Sequence, residues 1–506
     1  MHEENSSLKA PQRTILFLIA DTGAGHRSAA NAIRNAMILL AQHEQEQWGA
    51  QQQALDEDAS GKDSSSLLPP PPTYRIEIVD VFKEYSHFPL REAVRLYGPT
   101  IRFNPKLYGH VFHLSNRAGR VLAVEQVAGP LVYNGLLRLI MSVRPDVIVS
   151  IHPMLNHITI RALQDLGLHI PFITVVTDLV SVHQAWIAPG ADAYIVPTEQ
   201  ARDIYIQNGI DPERIHLLGM PIDPKFTLPP ESKEALQRKL GLEPGKPVIL
   251  LVGGGEGSRG LRASINFISQ AHLPVQLLIV TGRNKRLYAH LQRSRSSLQV
   301  PAKIFGFVHN MPEMMHAADV IVTKAGPGTI CEAMACNLPI ILNGYVPGQE
   351  EGNVTYVLEN KVGTMAYDSV ELIGALRRLL KPGSEVLIEQ LANEKRIRRP
   401  YAAFDIARSI LSFLPATGAP GIWQHFEPVR QPYLMPIQVR SGTSMHVLRR
   451  RYASQRLRRG TLMRRRLPLP RLRILRRSAR RTFNAGNPHS RPSHLSLQQT
   501  RNKSSR

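Results

Sequence analysis

Short apolar runs alternate with stretches of helical composition along this chain, and the cycle is traversed twice. The first set comprises residues 14–20 (TILFLIA), 74–79, 147–151, 172–177 and 193–196. The second comprises residues 247–252, 275–281, 320–323 and 340–343. A continuous apolar run of this length reads as a strand buried on both faces. Such strands alternating with helices imply a parallel sheet covered by helices on both sides. The cycle restarts after residues 219–224 (GMPIDP), which read as an interdomain crossing. The pattern therefore predicts an α/β chain of two successive doubly wound, Rossmann-like domains. A length of 506 residues suits two such domains with appendages.

The expected organisation is a disordered N-terminus over 1–13, a first domain over 14–220, a second over 221–415 and a tail over 416–506. Residues 42–73 are rich in Gln, Ser and Pro and read as a flexible insertion in the first domain. Residues 385–412 read as an amphipathic closing stretch, with a return to the first domain left open. The net charge of +22 is uneven: residues 416–506 hold 21 Lys and Arg against one acid, Glu427, an excess of 20. The remainder is thus nearly neutral, and the basic character belongs to an Arg-rich tail expected to be disordered. The two cysteines, Cys331 and Cys336, form neither a disulfide framework nor a CxxC pair. No apolar run approaches the ~18 residues of a membrane span, and the opening residues MHEENSSLKAPQR lack the apolar segment of a secretory signal. A cytoplasmic protein is expected, with any membrane contact peripheral.

The strongest local signal is VIVTKAGPGTICE, residues 320–332. A buried strand runs into the turn Gly326-Pro327-Gly328, and a helix is expected from Thr329. Free amides and the positive end of the helix dipole make such a start an anion site. Thr329 can add a hydroxyl, and Glu332, one turn in, can accept from a ribose diol. An ordinary tight strand–helix turn accounts for the composition equally well. A second polar loop, residues 343–353 (NGYVPGQEEGN), offers Gln349 and Glu350 as a donor–acceptor pair for sugar hydroxyls, or is simply a solvated loop. The glycine run at 253–257, with Gly254 and Gly255, lies at the same carboxyl edge, where open α/β sheets bind ligands. Its spacing is not that of a nicotinamide site or a P-loop. In the first domain, His26 closes a glycine turn containing Gly23 and Gly25 after the first strand. Its imidazole could take a proton from an acceptor hydroxyl, or be a helix cap or packed histidine. His152, His157 and Asp178 also end strands there and could line the same cleft or satisfy backbone groups. The one Asp-x-Asp match, Asp56-Glu57-Asp58, falls in the insertion, so no metal and no cofactor are expected.

The segments DTGAGHRSAANAI, VSIHPMLNH, ITVVTDL, ILLVGGGEG and the run from GFVHNMPEMMHAADVIVTKAGPGTICEAMACNLPIILNGYVPGQEEGN to VTYVLEN resemble the monogalactosyldiacylglycerol synthases. They are also similar to the bacterial processive diacylglycerol glucosyltransferases. More distantly they are similar to the N-acetylglucosaminyltransferase of the peptidoglycan lipid precursor. The resemblance covers about 14–41 and 74–415 and is most specific over 306–363. It implies a GT-B fold, two Rossmann-like domains facing a cleft, with a C-terminal domain of the glycosyltransferase family 28 type. It implies that Gly326, Pro327, Gly328 and Thr329 bind the donor diphosphate and that Glu332 binds the ribose. Gln349 and Glu350 would hold the hexose, Gly254 and Gly255 would line the donor site, and Phe307 and Val308 would place the uracil through backbone contacts. His26 would be the base, with Gly23, Gly25, His152 and Asp178 on the acceptor side. The chain departs from the family at Ala24, at Ser258-Arg259, in the 42–73 insertion and in the basic tail.

The implied reaction is inverting transfer of a hexose from a UDP-sugar to a lipid such as diacylglycerol, at an anionic membrane surface on the inner face of the cell membrane. A UDP-sugar epimerase of the same fold is the competing enzyme. Nucleic-acid binding through the tail is not favoured, because the arginine clusters at 449–451, 464–466 and 476–477 carry no interleaved aromatics.

Overall fold

The computed structural model describes residues 10–22, 25–58, 69–96, 100, 104–253, 259–415 and 423. The 416–506 tail, apart from Trp423, lies outside them. So do Gly23, Gly254 and Gly255, whose expected roles therefore have no structural account.

The first half opens with β1 (Gln12–Ile19), α1 (Gly25–Asp58) and β2 (Thr73–Asp80). A helical segment follows: α2 (Val81–Tyr85), α3 (Leu90–Arg95), α4 (Pro105–Ser115), α5 (Ala118–Ala128) and α6 (Pro130–Val143). It closes with β3 (Val147–Ser150), α7 (Asn156–Leu166), β4 (Phe172–Val175), β5 (Ala193–Val196), α8 (Glu199–Gln207) and β6 (Ile215–Leu217). The second half runs α9 (Lys233–Lys239), β7 (Val248–Val252), α10 (Arg259–Gln270), β8 (Gln276–Val280), α11 (Lys285–Arg293) and β9 (Ala302–Phe305). It continues with α12 (Met311–Ala317), β10 (Val320–Thr323), α13 (Pro327–Ala335), β11 (Ile340–Leu342), α14 (Glu351–Glu359) and β12 (Gly363–Met365). Three helices end it: α15 (Ser369–Leu379), α16 (Glu385–Ile397) and α17 (Ala402–Leu411).

Two six-stranded sheets result, in the orders β2-β1-β3-β4-β5-β6 and β12-β11-β10-β7-β8-β9. Every pairing is parallel. The alternation of side chains along each strand splits each core in two. In β1, Ile15, Phe17 and Ile19 pack with α1 and α17, whereas Leu16 and Leu18 pack with α6 and α7. In β7, Ile249 and Leu251 meet α10 and α15, whereas Val248, Leu250 and Val252 meet α12, α13 and α14. Both sheets are therefore covered on both faces, as continuous apolar runs require.

Three findings differ from the sequence expectation. First, α1 continues to Asp58, so residues 42–58 of the expected flexible insertion are helical. Second, β6, β9 and β12 are additional strands, and each lies at a sheet edge. Third, α17 leaves the second domain, whose expected range extends to 415, and takes the return to the first domain that the sequence leaves open. Its Ile406 and Ile410 are fully buried in the core of the first sheet with Ile33 and Met37 of α1. Full burial of such a side chain stabilises by about 1.5–3 kcal/mol, which decides where this helix sits. The outgoing and returning crossings touch at Gly219. Its φ is +100°, and a Cβ there would stand 2.8 Å from Arg399 Cβ and 3.0 Å from Ala402 Cβ. Only glycine meets both the backbone and the space requirement.

Each sheet has one point where the order reverses: between β1 and β3 in the first, and between β7 and β10 in the second. Loops leaving the carboxyl ends of those strands splay apart there, and such a crevice is where doubly wound folds bind ligands.

Candidate active site

At the first reversal, the turn after β1 carries His26 as the second residue of α1, and the end of β3 carries His152. The topology sets their rings edge to face, with centroids 4.8 Å apart. Both are buried. His26 Nδ1 lies 3.3 Å from Thr177 Oγ1, beyond the end of β4. His152 Nε2 lies 3.2 Å from Thr22 Oγ1, and its Nδ1 is buried without a hydrogen-bond partner. Burial lowers the His26 pKa to about 4, against a hydrogen bond to the Ile151 backbone and the Asp21 charge, which both raise it. Burial also holds His152 well below the usual imidazole range, and His26 adds to the effect. Both rings are therefore neutral at neutral pH, and a neutral imidazole has a lone pair to offer a hydroxyl proton.

Asp178, directly after Thr177, accepts a 2.7 Å hydrogen bond from Trp186 Nε1. Burial raises its pKa to about 6; the Trp186 bond lowers it, and the Glu350 charge raises it further. That last influence comes from the second domain, so the two crevices are within electrostatic reach.

At the second reversal, Gly326 caps α13 and Pro327 occupies its first turn. The helix begins at Pro327, two residues earlier than expected, because proline's fixed φ suits the first helical position and its missing N–H is not needed there. The first-turn amides of Gly328 and Thr329 have no intrahelical acceptor and carry the positive end of the dipole. Beside them stands Lys324, whose Nζ is in a short ion pair with Glu350 Oε1. Glu350 is buried, and its Oε2 accepts from the Val346 amide at 2.8 Å. Glu350 thus holds both Lys324 and the loop after β11. Glu332, one turn into α13, has its pKa raised to about 7, first by burial and then by the Asp223 charge. Asp223, on the crossing, accepts from Asn35 Nδ2 of α1 at 2.9 Å. Phe307 is half exposed, with the Arg283 guanidinium 5.4 Å over its ring. Val308 packs on the second core.

The domains meet around these loops. The Ser181 hydroxyl accepts from the Gly352 amide at 3.0 Å. A Cβ at Gly352 would stand 2.2 Å from Ser181 Oγ, so the approach needs glycine.

The residues 71–222 match a family model described as monogalactosyldiacylglycerol synthase. Residues 248–400 match one described as the glycosyltransferase family 28 C-terminal domain. The chain is 34% identical over 429 residues to a probable monogalactosyldiacylglycerol synthase 2 of Oryza sativa subsp. indica, covering 81% of this chain and 82% of the relative. It is 32% identical over 411 residues to monogalactosyldiacylglycerol synthase 3 of Arabidopsis thaliana, covering 79% and 81%. The chain belongs to the monogalactosyldiacylglycerol synthase family. It is a UDP-sugar-dependent glycosyltransferase built on two parallel six-stranded sheets. Among solved structures, MurG of Acinetobacter baumannii is similar with 13% identity and a TM-score of 0.48 over 79% of this chain and 99% of its own.

In this monogalactosyldiacylglycerol synthase family member, the residues singled out in the sequence fall in two groups, one on each domain. His26, His152 and Asp178 come together in the first domain, and Gly326, Pro327, Gly328, Thr329, Glu332, Gln349 and Glu350 in the second. Gly25 is exposed at the start of α1, with open space where a Cβ would lie. His157 lies in the first turn of α7. Asp56 and Asp58 fall in the last turn of α1. Four residues went unread: Lys324, Thr177, Trp186 and Tyr108. Lys324 could have been found, since it directly follows β10 and precedes the glycine turn. Tyr108 could not, since only the folded chain brings it to Gln349, whose Oε1 accepts from its hydroxyl at 3.1 Å.

Proposed function

We propose that this protein moves galactose from UDP-galactose to diacylglycerol, with inversion at the anomeric carbon. The family's name supports the sugar and the acceptor. The carrying observation is the apposition of two unlike crevices: neutral, buried His26 on one domain, and the Lys324–helix start on the other. In this reading the acceptor hydroxyl gives its proton to His26 as it attacks, and the UDP oxygen takes the bonding pair as the glycosidic bond breaks. Lys324, Thr329 and the first-turn amides of α13 stabilise the departing diphosphate. Glu332 holds the ribose. Gln349 holds hexose hydroxyls, and Glu350 keeps lone pairs for one more while it positions Lys324. Phe307 and Val308 place the uracil.

Diacylglycerol resides in membranes, and among the described residues no helix is long and apolar enough to cross one. The segment around α3 to α5 supports peripheral docking. It exposes Phe88, Leu96, Leu107, Val111, Leu114 and Val127, interspersed with Arg95, Lys106, Arg117 and Arg120. Apolar side chains entering the interface, with basic residues at anionic headgroups, is how monotopic proteins bind. The Arg-rich tail would add to the same attraction.

Because Lys324 and a helix dipole already supply positive charge at the diphosphate, turnover should need no divalent ion. Purified protein given labelled UDP-galactose, diacylglycerol micelles and excess EDTA should form labelled lipid at near the untreated rate. Loss of all activity, restored by manganese or magnesium, would overturn the metal-free route. Conversion of UDP-galactose without acceptor would favour an epimerase instead.

A further inference from the structure

The sugar loop after β11 is not completed by its own domain. Helix α4 of the first domain lies directly on it. A Cβ at Gly109 would stand 2.8 Å from Pro347 Cβ, and a Cβ at Gly348, whose φ is +81°, would stand 2.8 Å from Phe112 Cδ1. Glycine on each partner lets the helix and the loop come this close. At the same contact Tyr108 Oη donates to Gln349 Oε1 at 3.1 Å, and His113 Nε2 lies 3.6 Å from Glu351 Oε2. Helix α4 is tied back to its own domain through Phe112, 5.0 Å edge-on to His183, and Ser115 Oγ, 3.2 Å from His183 Nε2.

An amide is a two-ended group: one edge accepts and the other donates. A phenol proton on Oε1 fixes which end is which, and turns Nε2 to the other side as a donor. Losing that proton removes one of the contacts that orient the amide, so its donor end is held less well for a sugar hydroxyl. Resting on the reading that Gln349 holds the hexose, we infer that Tyr108 is a positioning residue for donor-sugar selection. The first domain, which receives the lipid, thereby also sets how the second domain reads the hexose. The neighbouring stripe of α4, Leu107, Val111 and Leu114, is exposed. Residues at i, i+4 and i+7 share one helix face, so the helix that orients Gln349 also faces solvent with an apolar edge.

The test is Tyr108→Phe, which keeps the ring and deletes only the donor. Losing one neutral hydrogen bond should raise KM for UDP-galactose about five- to tenfold and reduce its preference over UDP-glucose by a similar factor. The inhibition constant of UDP, which lacks the hexose, should stay within about twofold of wild type. Gln349→Ala should show the same pattern, and the double variant should be no worse than Gln349→Ala alone, as expected of one coupled unit. Unchanged melting temperature would show that the fold is intact. If Tyr108→Phe matched wild type in KM and preference while Gln349→Ala did not, Tyr108 would be a packing residue and the inference would fail. If Gln349→Ala itself matched wild type, the hexose reading would fail and the inference with it. Equal weakening of UDP and UDP-galactose by Tyr108→Phe would also overturn it, since that marks loop damage and not sugar selection.

Discussion

Replacing His26 by alanine is expected to lower galactosyl transfer by about 10²–10⁴, the range for loss of a general base, while UDP affinity stays within a few-fold of wild type. The split follows from geometry. His26 sits at the reversal of the first sheet, and the diphosphate site at the reversal of the second. Burial has already removed the competing protonated form of the ring, with its pKa lowered to about 4. The Asp21 charge acts against that lowering and favours the proton-accepting role. Thr177 Oγ1, 3.3 Å from Nδ1, fixes the ring's orientation, so Thr177→Val should show a smaller loss in kcat of the same kind. Transfer within a few-fold of wild type in His26→Ala, measured with saturating acceptor, would make His26 a packing residue.

The second large effect concerns Glu332. Its carboxyl is raised to about 7 by burial and by Asp223. Ribose hydroxyls donate, so they bind the ionised form better. Affinity for UDP-galactose should therefore increase as pH rises through about 7, and level off above it. Glu332→Gln removes the charge. It should weaken binding at high pH by about 1.5–3 kcal/mol, the worth of a charge-assisted hydrogen bond, and should flatten the pH dependence. UDP-galactose is the right probe because its diphosphate is a diester and does not titrate in this range. Equal affinities at pH 8, or an equal pH slope in the variant, by calorimetry, would remove Glu332 from the donor site.

What could be read in advance, and what could not, has a physical pattern. Central strands such as 14–20 and 320–323 are buried on both faces, so their composition alone declares them. The edge strands β6 (IHL), β9 (AKIF) and β12 (GTM) are buried on fewer sides and admit polar residues and glycine. Their sequences do not separate from loops. The extension of α1 to Asp58 was obscured because glutamine-rich composition reads as low complexity although glutamine is a good helix former. The destination of α17 depends on which sheet offers a matching apolar face, which is tertiary information. The site follows the same division. His152 and Asp178 lie just past strand ends, and His26 and Glu332 lie in the helices that follow β1 and β10; a parallel sheet brings all four to one edge of their sheets, which the strand pattern alone declares. Lys324 sits beside a glycine turn whose signal is stronger than its own, and the partners of Trp186 and Tyr108 are supplied by another loop or another domain.

The most direct measurement is the identity and stereochemistry of the product. The protein should be incubated with UDP-galactose and diacylglycerol in mixed micelles with EDTA, and the lipid fraction isolated and analysed by mass spectrometry and proton NMR. The account predicts a monohexosyl diacylglycerol whose anomeric proton shows the large coupling of a β linkage, formed in equal amount with UDP. An α-linked product, or UDP-galactose converted to another UDP-hexose with no glycolipid, would contradict it.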